Sequence, residues 1–138
     1  MTLALWRVSD PANIGTLLRS ADAFGAGALL SDGCADPFGP KALRAAMGST
    51  FRVPLGEFDV RPGSVAFVAD GGTPLEEVEL ERYSNFVLGA EREGLPADVV
   101  ERCDATATIP VRSVESLNVA IAGTIALYEL ARRRARAR

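Results

Sequence analysis

The chain contains no histidine, so any chemistry must rest on carboxylate, amide, hydroxyl or guanidinium groups, or on a reactive cofactor. That excludes Ser-His-Asp and Cys-His nucleophilic catalysis, imidazole acid–base chemistry and the commonest zinc sites. Three polar turns sit at the ends of predicted strands. The first is Asp10-Pro11-Ala12-Asn13-Ile14-Gly15, running on to Arg19. The second is Leu88-Gly89-Ala90-Glu91-Arg92-Glu93-Gly94-Leu95, and the third is Ser116-Leu117-Asn118. Taken singly, each has a plain structural reading. Asn13 can cap a helix, Gly15 can admit close packing, Arg19 can be a surface arginine, and Ser116 can cap the helix that follows it. In open α/β sheets, however, ligands bind beyond the carboxyl ends of strands, where turns of this kind sit.

The elements that must position these turns can be read from apolar patterning. Leu3 to Val8 reads as a buried strand, broken by Ser9-Asp10-Pro11. A helix follows from about Asn13 to Phe24, with Ile14, Leu17, Leu18, Ala21 and Phe24 on one face. Ala28 to Ser31 is a second strand and Lys41 to Met47 a short helix, while Phe51 to Val53 is a weaker strand candidate. Ser64 to Ala69 is a buried strand closed by Asp70-Gly71-Gly72. Thr73 to Val78 reads as a short helix, with Thr73 and Glu76 at capping-box spacing. Strand Asn85 to Leu88, helix Pro96 to Arg102 and strand Thr106 to Ile109 lead to a final helix, apolar on most of its circumference, that runs to Leu130. Short apolar strands alternating with helices predict an α/β fold with a mostly parallel sheet between helices.

At 138 residues the chain is expected to form a single domain over residues 1–138. Its apolar share of 48% and charged share of 24% are those of an ordinary globular protein. No apolar run reaches membrane-spanning length and no charged-then-apolar leader precedes Leu3, so a cytoplasmic protein is expected. Cys34 and Cys103 are widely spaced and suggest packing, not a metal or disulfide site. The net charge of −3 argues mildly against a broad electropositive nucleic-acid footprint. The arginine-rich end, Arg132 to Arg138, is a local exception that reads equally as a phosphate-binding tail or a solvated helix end. No GxxxxGK[ST] run is present, which excludes a P-loop. Asp32 is placed to be a ribose ligand, but the turn before it lacks G-x-G-x-x-G, so a dinucleotide-dependent oxidoreductase is a weak reading.

Together the three turns resemble a known set. Asn13 to Arg19 matches the N-x-G-x-x-x-R first motif of the TrmH (SpoU) family of SPOUT RNA methyltransferases, and Leu88 to Leu95 resembles its L-G-x-E-x-x-G-L second motif. Ile109-Pro110-Val111 with Ser116-Leu117-Asn118-Val119-Ala120 resembles its third, with Val111 for Met and Ala120 for Ser. The segment Pro40 to Ser49 resembles a further family stretch, usually written with Ser where Ala46 stands.

The resemblance implies transfer of the methyl of S-adenosyl-L-methionine to a ribose 2′-hydroxyl of tRNA or ribosomal RNA. The alternative it leaves is a knotted RNA-binding or regulatory domain with impaired catalysis. It also implies a SPOUT-like fold with a C-terminal deep trefoil knot, and a homodimer packed through the knot region that completes each site near the interface. The usual N-terminal RNA-binding domain is expected to be absent. Cofactor contacts are implied at Ala69, Asp70, Leu88, Gly89, Gly94, Ile109, Val111 and Leu117. The implied catalytic set is Arg19, Asn13, Glu91, Ser116 and Asn118, with Lys41, Arg44 and Arg112 as phosphate contacts. A guanidinium stays protonated in proteins, so Arg19 is expected to stabilise developing alkoxide charge and grip a phosphate, not to act as a base. Glu91 is expected to orient Arg19 or a loop amide.

Overall fold

The computed structural model describes residues 1–90 and 92–138. Among these residues the strands are β1 (Thr2–Trp6), β2 (Gly27–Leu30), β3 (Leu55–Glu57), β4 (Ser64–Phe67), β5 (Thr73–Pro74), β6 (Asn85–Gly89) and β7 (Ala105–Thr108). They form one sheet in the order β3-β2-β1-β6-β4-β7-β5, and every pairing is parallel. A parallel sheet is covered on both faces, which is why its central strands are apolar without alternation. Leu3, Ala4 and Leu5 are fully buried, as are Phe86 and Val87 beside them.

Successive residues of these strands feed two separate cores. Leu3, Leu5, Phe86 and Leu88 pack with α1 (Pro11–Ala23), α2 (Pro40–Ala46) and α4 (Val119–Arg136). Ala4 and Val87 face the other way, onto Val99 of α3 (Ala97–Arg102), with Phe58 and Leu95 around them. The period-two alternation of strand side chains thus divides a thick helical layer from a thin one. Gly15 lets α2 lie directly against α1, since a Cβ there would come 2.3 Å from the Ala42 carbonyl oxygen. The hydroxyls of Ser20 and Thr124, 2.6 Å apart, join α1 to α4.

Four local expectations are corrected. Phe51 to Val53 is no strand: Ser49–Phe51 forms a 3-10 turn and the edge strand lies at Leu55–Glu57. The Asp22 carboxylate accepts from Ser49 Oγ (2.9 Å) and Arg52 Nε (2.8 Å), and the Val53 amide is already used by the Ser49 carbonyl. Those bonds, with the Arg52 ion pair, hold the Asp22 carboxyl below its ordinary value. Thr73 to Val78 is no helix either. Thr73–Pro74 pairs with β7, and Leu75–Glu77 forms a single 3-10 turn. The Arg133 guanidinium donates to the carbonyls of Leu75 and Val78, fixing that segment from outside. The first helix starts at Pro11 and is capped by Asp10, whose Oδ1 accepts from the Ala12 amide at 2.8 Å, so Asn13 lies inside it. The last helix is capped by Asn118, not Ser116.

Both cysteines are half-buried and donate to nearby carbonyls, Cys34 to Leu5 and Cys103 to Val99, each at 3.4 Å; burial pushes the Cys103 thiol up. No helix of the described residues is long and apolar enough to cross a membrane.

Candidate functional site: two joined clefts at the switch point

Strand β1 leads through α1 to β2 on one side of the sheet, whereas β6 leads through α3 to β7 on the other. β1 and β6 are neighbours, so the loops leaving their carboxyl ends diverge and leave a crevice between them. Two clefts open there. The smaller, about 270 Å³, lies beyond β4, β6 and β7 and is walled by Phe67, Leu88, Leu95, Ile109, Leu117 and Ala122. The larger, about 430 Å³, lies beyond β1 and carries Arg7, Ser9, Asp10, Asn13, Gly33 and Arg92. Ala90, Glu93 and Val119 line both, so the clefts share a wall.

The second motif builds that wall. After Gly89 the chain turns back on itself, with the Gly94 amide donating to the Ala90 carbonyl at 2.8 Å. A Cβ at Gly89 would lie 2.5 Å from the Gly94 carbonyl carbon, so only glycine lets the turn fold over the strand end. Gly94 closes the turn at φ 64°, a conformation glycine adopts without strain. The third motif supplies the opposite wall and the alignment. Asn118 Oδ1 accepts from the amides of Ala120 (2.8 Å) and Ile121 (3.2 Å), satisfying donors that the start of α4 would otherwise leave bare. Its Nδ2 donates to Asn13 Oδ1 at 3.1 Å. One side chain therefore caps α4 and ties its start to the first turn of α1.

Of the implied cofactor contacts, Ala69, Leu88, Gly89, Gly94, Ile109, Val111 and Leu117 all line the smaller cleft, and Ser116 joins them. Asp70 is exposed in the loop just past it and is not part of the lining. Asn13 lines the larger cleft and is buried. Arg19 is exposed on α1 and lines neither cleft. Lys41 and Arg44 are exposed on α2, and Arg112 is exposed between β7 and α4. Glu91 lies outside the described residues. Of the charged residues on the larger cleft, Asp10, Arg92 and Glu93 stand in the turns singled out from the sequence, whereas Arg7 does not. The available signal was a charged residue directly after an apolar strand and before a chain break. The arginine-rich end divides: Arg132 and Arg133 both bond the Glu129 carboxylate, holding it down to about 2, while Arg134, Arg136 and Arg138 are exposed.

The smaller cleft suits an adenosyl cofactor. Its walls are apolar enough to cover a purine, and glycine and loop backbone bring peptide groups to its edge. No group of His, Cys, Asp and Glu among the described residues is arranged to hold a metal ion.

Comparison with known proteins agrees. The model of the SpoU rRNA Methylase family matches residues 1–128. The 23S rRNA (guanosine(2553)-2'-O)-methyltransferase RlmP of Bacillus subtilis is 37% identical over 139 residues, covering 89% of this chain and 54% of its own. The SpoU methyltransferase AviRb of Streptomyces viridochromogenes, solved in complex with AdoMet, superimposes with a TM-score of 0.89 at 30% identity, over 97% of this chain and 57% of its own. A structure solved for the 2-OH methylation of C/U34 on tRNA is also 30% identical, with a TM-score of 0.86 over 97% of this chain and 95% of that one. The chain spans about half the length of the curated relatives it matches. It belongs to the SpoU rRNA methylase family.

Proposed function

We propose that this chain is the catalytic domain of an S-adenosyl-L-methionine-dependent methyltransferase that modifies a ribose 2′-hydroxyl of ribosomal or transfer RNA in the cytoplasm. The observation that carries this reading is convergence. Residues from three separate segments, around Ala69, Leu88 to Leu95 and Ile109 to Leu117, line one small cleft that shares a wall with a second, charged one. A cofactor in the first and a ribose in the second would meet at Ala90, Glu93 and Val119. Relatives named as 2′-O-methyltransferases, and a neighbour solved with AdoMet, support both assignments.

When bound, the cofactor supplies an electrophilic methyl group, which leaves the protein to position an oxygen and assist its deprotonation. Leu88, Leu95, Ile109 and Leu117 would cover the adenine, while the backbone at Gly89 and Gly94 would approach it closely. Ser116 offers a hydroxyl at the edge of the same cleft. The Asn118–Asn13 bond fixes α1 relative to α4, and with it the two clefts relative to each other. Asp70, next to the cleft, would be a cofactor contact made from the loop. Glu91 would orient a loop amide.

The outer side of α4 favours a homodimer. Ile121 and Tyr128 are more than half exposed, and Phe24 packs edge-on against Tyr128 at 6.4 Å. Apolar groups so arranged are the kind a partner surface covers. Arg19, off both clefts of its own chain, would then act on the substrate in the site of the second copy, stabilising alkoxide charge. The C-terminal trefoil knot and phosphate contacts at Lys41, Arg44 and Arg112 belong to the same reading.

Calorimetry with S-adenosylhomocysteine and with NAD tests the cofactor assignment. Saturable binding of the first and none of the second is expected; the reverse result would remove the reading.

A further inference from the structure

We infer that Arg7 is a substrate-binding residue, holding the RNA phosphodiester next to the target ribose in the larger cleft. The inference rests on the methyltransferase reading above and adds a residue that none of the three motifs contains.

The backbone supplies the first observation. Arg7 stands at φ 50°, one of two non-glycine residues with positive φ among those described. L side chains are disfavoured there, and such strain persists only where surrounding structure holds it. Here it is held, because the Arg7 amide donates to Ser31 Oγ at 2.8 Å while the Ser31 amide donates to the Leu5 carbonyl at 3.0 Å. This left-handed residue follows directly on the end of β1 and forms part of the wall of the larger cleft.

The second observation is how the side chain is seated. Its guanidinium carbon lies 5.7 Å from the centre of the Trp6 ring, which is itself braced edge-on by Phe58 at 5.1 Å. Its stem passes over Gly33, where an added Cβ would lie 3.2 Å from Arg7 Cγ. Although Arg7 is exposed, contacts at its stem and its head favour one placement of a long side chain before any ligand arrives, which lowers the entropy lost on binding. An arginine needs no left-handed backbone to reach an aromatic neighbour, so the contact with Trp6 does not by itself account for the conformation.

The third observation is charge. Arg7 and Arg92 are the cations that line this cleft, and neither has an ion pair among the described residues. Among the described residues the carboxylates lining the cleft are Asp10, whose Oδ1 is engaged with the Ala12 amide, and Glu93. A planar guanidinium on the rim of a cleft suits a phosphodiester better than any neutral part of RNA. Arg19 does not line this cleft in its own chain, which leaves Arg7, seated against Trp6, and Arg92 as the cations beside the site of transfer.

Arg7→Gly is the informative variant, because glycine relieves the strained φ while deleting the side chain. With ribosomal RNA as substrate, KM should rise about tenfold with kcat nearly unchanged. S-adenosylhomocysteine affinity and the melting temperature should be those of the parent. Binding to a short fluorescein-labelled single-stranded RNA should show a log K against log salt slope shallower by about 0.7, the loss of one phosphate contact. Arg7→Lys keeps the charge and should restore the slope. An unchanged KM and slope in Arg7→Gly would overturn the proposal, as would a slope that lysine fails to restore. A fall in melting temperature or cofactor affinity would show a purely structural role and overturn it too. Should the parent chain bind S-adenosylhomocysteine yet methylate no RNA, the methyltransferase reading fails as well, a result distinct from all of these.

Discussion

The two ends of the central strands are built on opposite plans. At the amino ends of β1, β4 and β6, polar side chains are buried and closed upon one another. Asn85 and Ser64 are fully buried. Thr2 Oγ1 donates to Asn85 Oδ1 at 2.6 Å, and Asn85 Nδ2 donates to Ser64 Oγ at 2.9 Å and to the Asp59 carbonyl at 3.2 Å. Ser64 Oγ in turn donates to the Arg61 carbonyl at 2.6 Å. At the carboxyl ends of the same strands stand Gly89, loop backbone and the two clefts. Buried polarity therefore does not mark the site. Saturated hydrogen bonding marks the end that holds register, and a close-packed glycine turn with cations on the cleft rim marks the end where the two clefts open.

The sharpest test of that contrast is Gly89→Ala. The new methyl group would sit 2.5 Å from Gly94 backbone and push the shared wall of both clefts outward. Cofactor affinity should fall at least about 100-fold, or about 2.8 kcal/mol at 1.4 kcal/mol per decade, by calorimetry. Asn85→Ala is its counterpart at the closed end. It removes the acceptor of the Thr2 hydroxyl and the donor to Ser64 Oγ and the Asp59 carbonyl, and should cost about 1–3 kcal/mol in urea unfolding, with cofactor affinity unmoved. If instead Asn85→Ala weakened the cofactor and Gly89→Ala did not, the division of labour between the two ends would be wrong.

Asn118→Ala should fall between these plans, since Asn118 is both a cap and a link across the clefts. Loss of the cap predicts about 1 kcal/mol of stability, read from the denaturation midpoint. Loss of the Asn13 bond predicts a weaker cofactor as well. A smaller effect belongs to neither end. Bonds from Arg132 and Arg133 hold Glu129 at about 2, below its ordinary 4.5. Between those values the unfolded chain binds more protons than the folded one. The pair's contribution is therefore complete above pH 4.5 and lost as pH falls toward 2. Glu129→Gln should flatten that limb of the stability profile and leave neutral-pH activity alone.

The order of strands and helices was legible because parallel strands buried on both faces read as unbroken apolar runs, as in Val65 to Phe67. Helix α1 likewise shows its buried face through Ile14, Leu17, Leu18 and Ala21. The motif glycines were legible because close approach admits only glycine. What the sequence hid was made by distant partners. Thr73 and Glu76 have capping-box spacing, yet pairing with β7 and the reach of Arg133 impose a strand and a 3-10 turn. Asp22 likewise draws Ser49 and Arg52 into a turn where a strand was expected. Asp10 outcompeted Asn13 as a cap because Pro11 suits the first helical position, a local signal that was on view. Arg7 and Arg92 share a cleft only because β1 and β6 lie side by side. Nothing local to either arginine reveals that.

The two joined clefts are proposed to bring a methyl donor and an RNA ribose together. Incubating the chain with S-adenosylmethionine and ribosomal or transfer RNA, then digesting the RNA to nucleosides for mass spectrometry, tests it most directly. A 2′-O-methylnucleoside should form, and should be missing when Gly89→Ala replaces the parent. A methyl group found on a base, or transfer undiminished in Gly89→Ala, would contradict it.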